Sequence, residues 1–156
     1  MFEKIVLAVD HSEQAKGAIA TAVDLARKSN GVIVVVHVHD KGIVARETVD
    51  VESLDEAKMF LGAVLDVLAR EGVQATGDLR AAESAGVAGE IVRAARAFDA
   101  DSIVLGSRGL GDFAGLLLGS VAHKVIQQAR CPVVVVRESA VGASALDVPL
   151  KQSTSA

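Results

Sequence analysis

The chain has 156 residues, 51% of them hydrophobic and only 3% aromatic, with a mean hydropathy of +0.40 and a formal net charge of −4. This suits one domain with an aliphatic core; the negative charge without a Lys/Arg cluster argues against nucleic acid as a partner, and no apolar run reaches the length of a membrane helix. The single cysteine, Cys131, excludes an internal disulfide, and MFEKIVLAVD turns acidic too early for a signal peptide, so a cytoplasmic location is expected.

Residues 4–9, KIVLAV, form a nearly continuous apolar run, the pattern of a parallel strand buried on both faces. Asp10, His11 and Ser12 end it. Ser12 can cap a helix over residues 13–29, where Ala15, Ala18, Ile19, Ala22, Val23, Leu25 and Ala26 recur at helical spacing. Gly31 breaks that pattern, and residues 32–38 are a second buried strand. Residues 39–52 mix polarities and read as a mobile loop able to lie over a site. Ser53 and Glu56 form a capping box for a helix over 53–70, with Leu54, Ala57, Phe60, Leu61, Val64, Leu65 and Leu68 on one face. Residues 73–82 are a more polar strand suited to an edge, and a helix is predicted over 87–98. A fourth strand, Ile103, Val104 and Leu105, stops at Gly106. The last helix spans 119–129, and the last strand spans 131–137, with Pro132 tolerated at its start. Residues 138–156 read as a flexible tail; the apolar island at 146–150 has the alternative of docking on a partner chain or on its own domain.

The alternation of strand and helix predicts an α/β, Rossmann-like, three-layer domain over residues 1–137: an open sheet of five parallel strands with helices on both faces and right-handed crossovers. Ligands of such sheets bind beyond the carboxyl ends of the strands, where the strand order reverses. In the order 3-2-1-4-5 the first and fourth strands are neighbours at that switch, so Asp10 and Gly106 face one crevice with Val38 beside them.

The segment 102–121, DSIVLGSRGLGDFAGLLLGSV, reads as strand, glycine-rich loop and helix start. Gly106, Gly109 and Gly119 allow close approach of the backbone to a ligand. With Ser120 as a cap, the free N–H groups of the first helical turn suit a phosphate. Two other phosphate motifs fail. Gly106 to Gly111 has P-loop glycine spacing, but Asp112 and Phe113 stand where Lys and Ser or Thr are needed. The dinucleotide fingerprint is one residue too long and too late in the chain.

Gly106, two residues, Gly109, nine residues, then Gly119 and Ser120 match a G-x2-G-x9-G-[ST] signature. On these residues the chain resembles the ATP-binding branch of the universal stress protein family, from Lys4 to about Arg137. The resemblance implies ATP as ligand, with Mg2+ held through its phosphates. It implies Asp10, next to Val9, near the adenosine, and the backbone of Val38 at the adenine. Gly106 and Gly109 would lie along the ribose and phosphates. Gly119, Ser120 and Val121 would hold the outer phosphates through N–H groups and the Ser hydroxyl, and Ala8 and Leu105 would wall the pocket. Ser107 and Arg108 occupy the motif's variable pair, with Arg108 offering charge to a phosphate. The segment 83–89 lacks the Gly-x-Pro often seen in the family.

Other residues have plainer readings. Asp10 can cap the first helix, Cys131 suits a small buried hydrophobe, and His123 an ordinary helix position. His37 and His39 share a strand face, and His11 is expected nearby, but no acidic or Cys ligand joins them at a telling spacing, so no metal site is expected. No nucleophile–base pair is arranged, so dedicated catalysis is not expected. The first functional expectation is a nucleotide-dependent stress-response module, with slow ATP hydrolysis as an accompaniment and an unknown regulatory partner. The alternatives are a nucleotide-free dimeric scaffold and, more weakly, an adenylating enzyme of the α/β ATP pyrophosphatase type, whose Ser-Gly-Gly-type loop is absent after the first strand. A Val-rich edge at residues 133–136 suits pairing with a second copy, so a homodimer is expected.

Overall fold

The computed structural model describes residues 1–44, 47–50, 52–107, 118–137, 146–148 and 150. Its sheet carries β1 (Lys4–Val9), β2 (Val32–Val44), β4 (Ala75–Glu83), β5 (Ser102–Gly106) and β6 (Val133–Val136) in the order β4-β2-β1-β5-β6, with every one of those pairs parallel. This is the expected 3-2-1-4-5 order of five parallel strands. The central strand β1 is buried from Ile5 to Val9 because it has a neighbour on each side and helices on each face. The polar β4 pairs only with β2, and β6 only with β5, so both are edges among the described strands.

Helices α1 (Glu13–Ser29) and α2 (Leu54–Arg70) cover one face; α3 (Val87–Ala97) and α4 (Ser120–Gln128) cover the other. Strand periodicity sorts the core. Ile5, Leu7, Val9, Ile33 and Val35 pack towards α1 and α2, while Val6, Ala8, Val34 and Val36 pack towards α3 and α4. The capping box of α2 forms as expected: Glu56 N–H donates to Ser53 Oγ at 3.2 Å, and Ser53 N–H donates to Glu56 Oε2 at 2.8 Å. Leu54, expected on the apolar face, is exposed because it sits in the first turn, before the helix meets the sheet.

Three expectations are corrected. Residues 39–52 are not simply a loop: β2 continues to Val44, and its last four residues pair antiparallel with β3 (Glu47–Asp50), in the register Lys41–Asp50 to Val44–Glu47. The N-cap of α4 is Gly119, with Ser120 as the first helical residue. Of the apolar island at 146–150, the described residues lie on their own domain: Val148 is buried, and Leu146 and Leu150 pack with it against the α1/α2 side of the core. Burying an aliphatic side chain is worth about 1.5–3 kcal/mol, enough to hold a short apolar segment against its loss of freedom.

The N-terminus is tied down at the start of β5. Asp101 accepts from the N–H of Phe2 at 3.0 Å and of Glu3 at 2.9 Å, and donates its own N–H to the Lys4 carbonyl at 2.9 Å. Burial raises the Asp101 carboxyl, but hydrogen bonds from Glu3, Ser102, Lys4 and Phe2 outweigh it and hold the group below its ordinary 3.8. A depressed carboxylate contributes stability above its unfolded value and loses it as the pH falls through the folded one. The Asp101→Asn variant is therefore expected to be less stable by about 1 kcal/mol near neutrality, the gap closing below pH 3.8. Urea unfolding at pH 7 and pH 3 reads this directly; an equal gap at both would contradict it.

Candidate functional site

The topology brings level the strand ends that were expected to frame the crevice. Ala8 stands opposite Val36 on one side and Leu105 on the other, so the carboxyl ends of β2, β1 and β5 lie level. Asp10 follows β1, Val38 lies one residue past the pairing of Val9 with His37, and Gly106 ends β5. Ala8 and Leu105 are buried on the α3/α4 side, with Val38 and Val121 partly buried against the same cluster.

Ser107 fastens the return from β5. Its N–H donates to the Val136 carbonyl at 2.7 Å, and its carbonyl accepts the Gly119 N–H at 2.6 Å. This draws the start of α4 to the end of β5. It also commits the Gly119 amide, one of three assigned to phosphate by resemblance. The first bond of α4 runs from His123 N–H to the Gly119 carbonyl at 3.0 Å, so helix geometry leaves the amides of Ser120, Val121 and Ala122 without intrahelical acceptors. Arg108 and Gly109 lie outside the described residues. Asp10 has a local task as well: its Oδ1 accepts from Ser12 N–H at 2.9 Å and from the Ser12 hydroxyl. Ser12 holds the N-cap position of α1, but its side chain turns back to Asp10 instead of to a helix amide.

A second cluster lies on the opposite side of the sheet. His11, His37 and Glu52 are 8%, 3% and 7% exposed. The Glu52 carboxylate stands between the two rings, with Oε1 2.5 Å from His11 Nε2 and Oε2 2.8 Å from His37 Nε2. His39 Nε2 donates to the Glu52 backbone carbonyl. Phe60 packs on both imidazoles, its centroid 4.0 Å from that of His11 and 4.9 Å from that of His37. Burial raises the Glu52 carboxyl, but hydrogen bonds from His11 and His37, with their electrostatic influence, outweigh it and hold the group below 4.5. Sequence reasoning paired His11, His37 and His39 but missed Glu52. The available signal was its place immediately before the Ser53 cap: helices that follow strands of a parallel sheet start at the strands' carboxyl edge, where His11 also stands.

The sequence model of the Universal stress protein family matches residues 1–137. The chain belongs to the universal stress protein family. It is 31% identical over 151 residues to the universal stress protein YxiE of Bacillus subtilis, covering 88% of this chain and 100% of that one. It is 34% identical over 150 residues to a universal stress protein of Thermus aquaticus, covering 88% and 100%. Among solved structures, a universal stress protein of Archaeoglobus fulgidus superimposes with a TM-score of 0.69 at 29% identity, covering 87% and 99%. The universal stress protein of the same organism in complex with dAMP gives 0.66 at 29% identity, covering 85% and 96%. The level ends of β1 and β5 are therefore set in a universal stress protein domain.

Proposed function

We propose that this universal stress protein binds ATP, with Mg2+ carried on its phosphates, and acts as a nucleotide-dependent stress-response module. The observation that carries the reading is the adjacency of β1 and β5, which sets Asp10, Val38 and the start of α4 along one edge of the sheet. Acyclic phosphates suit that helix start: the amides of Ser120 and Val121 have no intrahelical acceptors, and the helix dipole favours negative charge there. The nucleoside would meet Asp10 and the backbone of Val38, between the apolar walls of Ala8 and Leu105. Binding of dAMP by a relative at 29% identity supports an adenine nucleotide as the ligand class.

Isothermal titration with ATP and Mg2+ tests the reading; no heat at millimolar ATP would remove it in favour of a nucleotide-free scaffold. Replacing Asp10 with Ala is expected to weaken ATP and adenosine alike, by about tenfold, the worth of one charge-assisted hydrogen bond. Because Asp10 also holds the turn before α1, Asp10→Asn, which retains an acceptor for Ser12, separates that task from ligand contact. A loss confined to ATP would contradict a nucleoside contact.

A further inference from the structure

We propose that His11, His37 and Glu52 form a binding site for one divalent transition-metal ion of the zinc type, distinct from any ion carried on a nucleotide. The three residues come from separate elements, the β1–α1 turn, β2 and the segment before α2. Their ligand atoms all lie within 4.8 Å of one another, and all three are buried.

The hydrogen-bond inventory calls for a proton or a cation in their midst. His37 Nδ1 stands 3.0 Å from the Val9 carbonyl, which can only accept, so Nδ1 carries a proton. A neutral His37 then presents a lone pair at Nε2, facing Glu52 Oε2 at 2.8 Å. An ionised carboxylate also offers only lone pairs. Either a second proton or a metal ion must lie between these atoms. The arrangement around His37 is that of a metal ligand held by its outer shell, in which the far ring nitrogen donates to a backbone carbonyl and fixes the tautomer. His11 adds a second imidazole whose Nδ1, among the described residues, has no hydrogen-bond partner. The nitrogen that faces Glu52 is Nε2, so an ion held there replaces the Glu52 contact and leaves Nδ1 unchanged. The Glu52 main chain is steadied by His39 at its carbonyl and by the capping box that begins at Ser53.

Two imidazoles and one carboxylate are a donor set for zinc and its neighbours rather than for Mg2+ or Ca2+, which take oxygen. A tetrahedral ion with ligands near 2.0–2.2 Å spreads them to about 3.3 Å apart. To reach that spacing the 2.5 and 2.8 Å contacts of Glu52 open, and the wider separations of the set, up to 4.8 Å, close. The Phe60 ring keeps the surroundings apolar, which strengthens the attraction between carboxylate and cation.

The test is zinc titration of the full chain after dialysis against a chelator. One Zn2+ per chain is expected, with a rise in melting temperature, and Mg2+ is expected to produce neither. Co2+ in place of zinc should give the weak visible bands of a low-coordinate nitrogen–oxygen site without sulfur charge transfer. Glu52→Gln and His37→Gln are each expected to weaken zinc binding by more than about 100-fold, beyond the loss typical of an outer-shell change. Cys131→Ser and His123→Gln should bind as wild type does. If Glu52→Gln fails to fold, His11→Asn, at a turn position outside the strands, supplies the same reading. Absence of zinc uptake by the wild type, or uptake that survives loss of His11 and His37, overturns the proposal. A cobalt spectrum dominated by sulfur does the same.

Discussion

Replacing Gly119 with Val is expected to abolish ATP binding while the domain stays folded. Gly119 is the buried N-cap of α4 at φ −70° and ψ 158°, extended backbone that any residue adopts, so the substitution brings no conformational strain. Its own N–H, held by the Ser107 carbonyl, is retained. What changes is the space beside the Ser120 and Val121 amides, where a branched side chain would stand in the path of the phosphates. Overpacking at a buried position costs about 1–3 kcal/mol, a loss a folded domain of this size tolerates. Adenosine, which carries no phosphate, should bind the variant as it binds the wild type. Titration with both ligands decides: wild-type affinity for ATP would place the phosphates elsewhere, and loss of adenosine as well would point to collapse of the crevice.

Replacing Gly31 with Ala should lower stability by about 2–3 kcal/mol, the upper range for forcing atoms into a packed site. A Cβ built on Gly31 falls 2.2 Å from the Phe2 carbonyl oxygen and 3.1 Å from the Glu3 Cα, both main chain, so no side-chain rotation relieves it. The N-terminal segment cannot retreat cheaply. It is held by Asp101 at the Phe2 and Glu3 amides, and Glu3 accepts the Val32 N–H at 2.9 Å to start the β1–β2 ladder. For a chain of this length the melting temperature should fall by roughly 5–10 °C. A fall under 2 °C would show that residues 1–3 give way without cost. Gly62, with nothing within 4 Å of an added Cβ, is the control and should be unaffected or stabilised when changed to Ala.

Gly31 shows where the sequence stops speaking. It reads as a helix breaker, and α1 does end just before it, yet the left-handed residue at the helix end is Asn30, at φ 53°. The glycine is needed for a neighbour 29 positions away, which no local pattern contains. The extension of β2 was hidden for a related reason. Its return strand, β3, follows Ala45 and Arg46, which lack the Asn-Gly or Asp-Gly signal that marks a tight hairpin.

What was legible is equally specific. The run KIVLAV marked β1 to the residue, helical spacing bounded α1 at Glu13 and Ser29, and Ser53 with Glu56 announced the start of α2. The apolar run at residues 103–105 and the helix start beside Gly119 were legible too, and they form as β5 and α4. Of the site itself, Asp10, Val38 and Gly106 were placed on one edge by topology alone, because a parallel sheet puts all its strand ends on the same side.

The sequence by itself determined the five parallel strands, the four helices, their alternation and the family, because hydrophobic period, caps and glycine spacing are local properties written in consecutive residues. Only the tertiary structure decided that Ser107 takes the Gly119 amide, that Leu146, Val148 and Leu150 lie on their own domain, and that Glu52 stands between His11 and His37. Those are meetings of groups far apart in the chain. Which donor finds which acceptor there depends on how strands and helices pack in three dimensions, and no spacing along the chain encodes it.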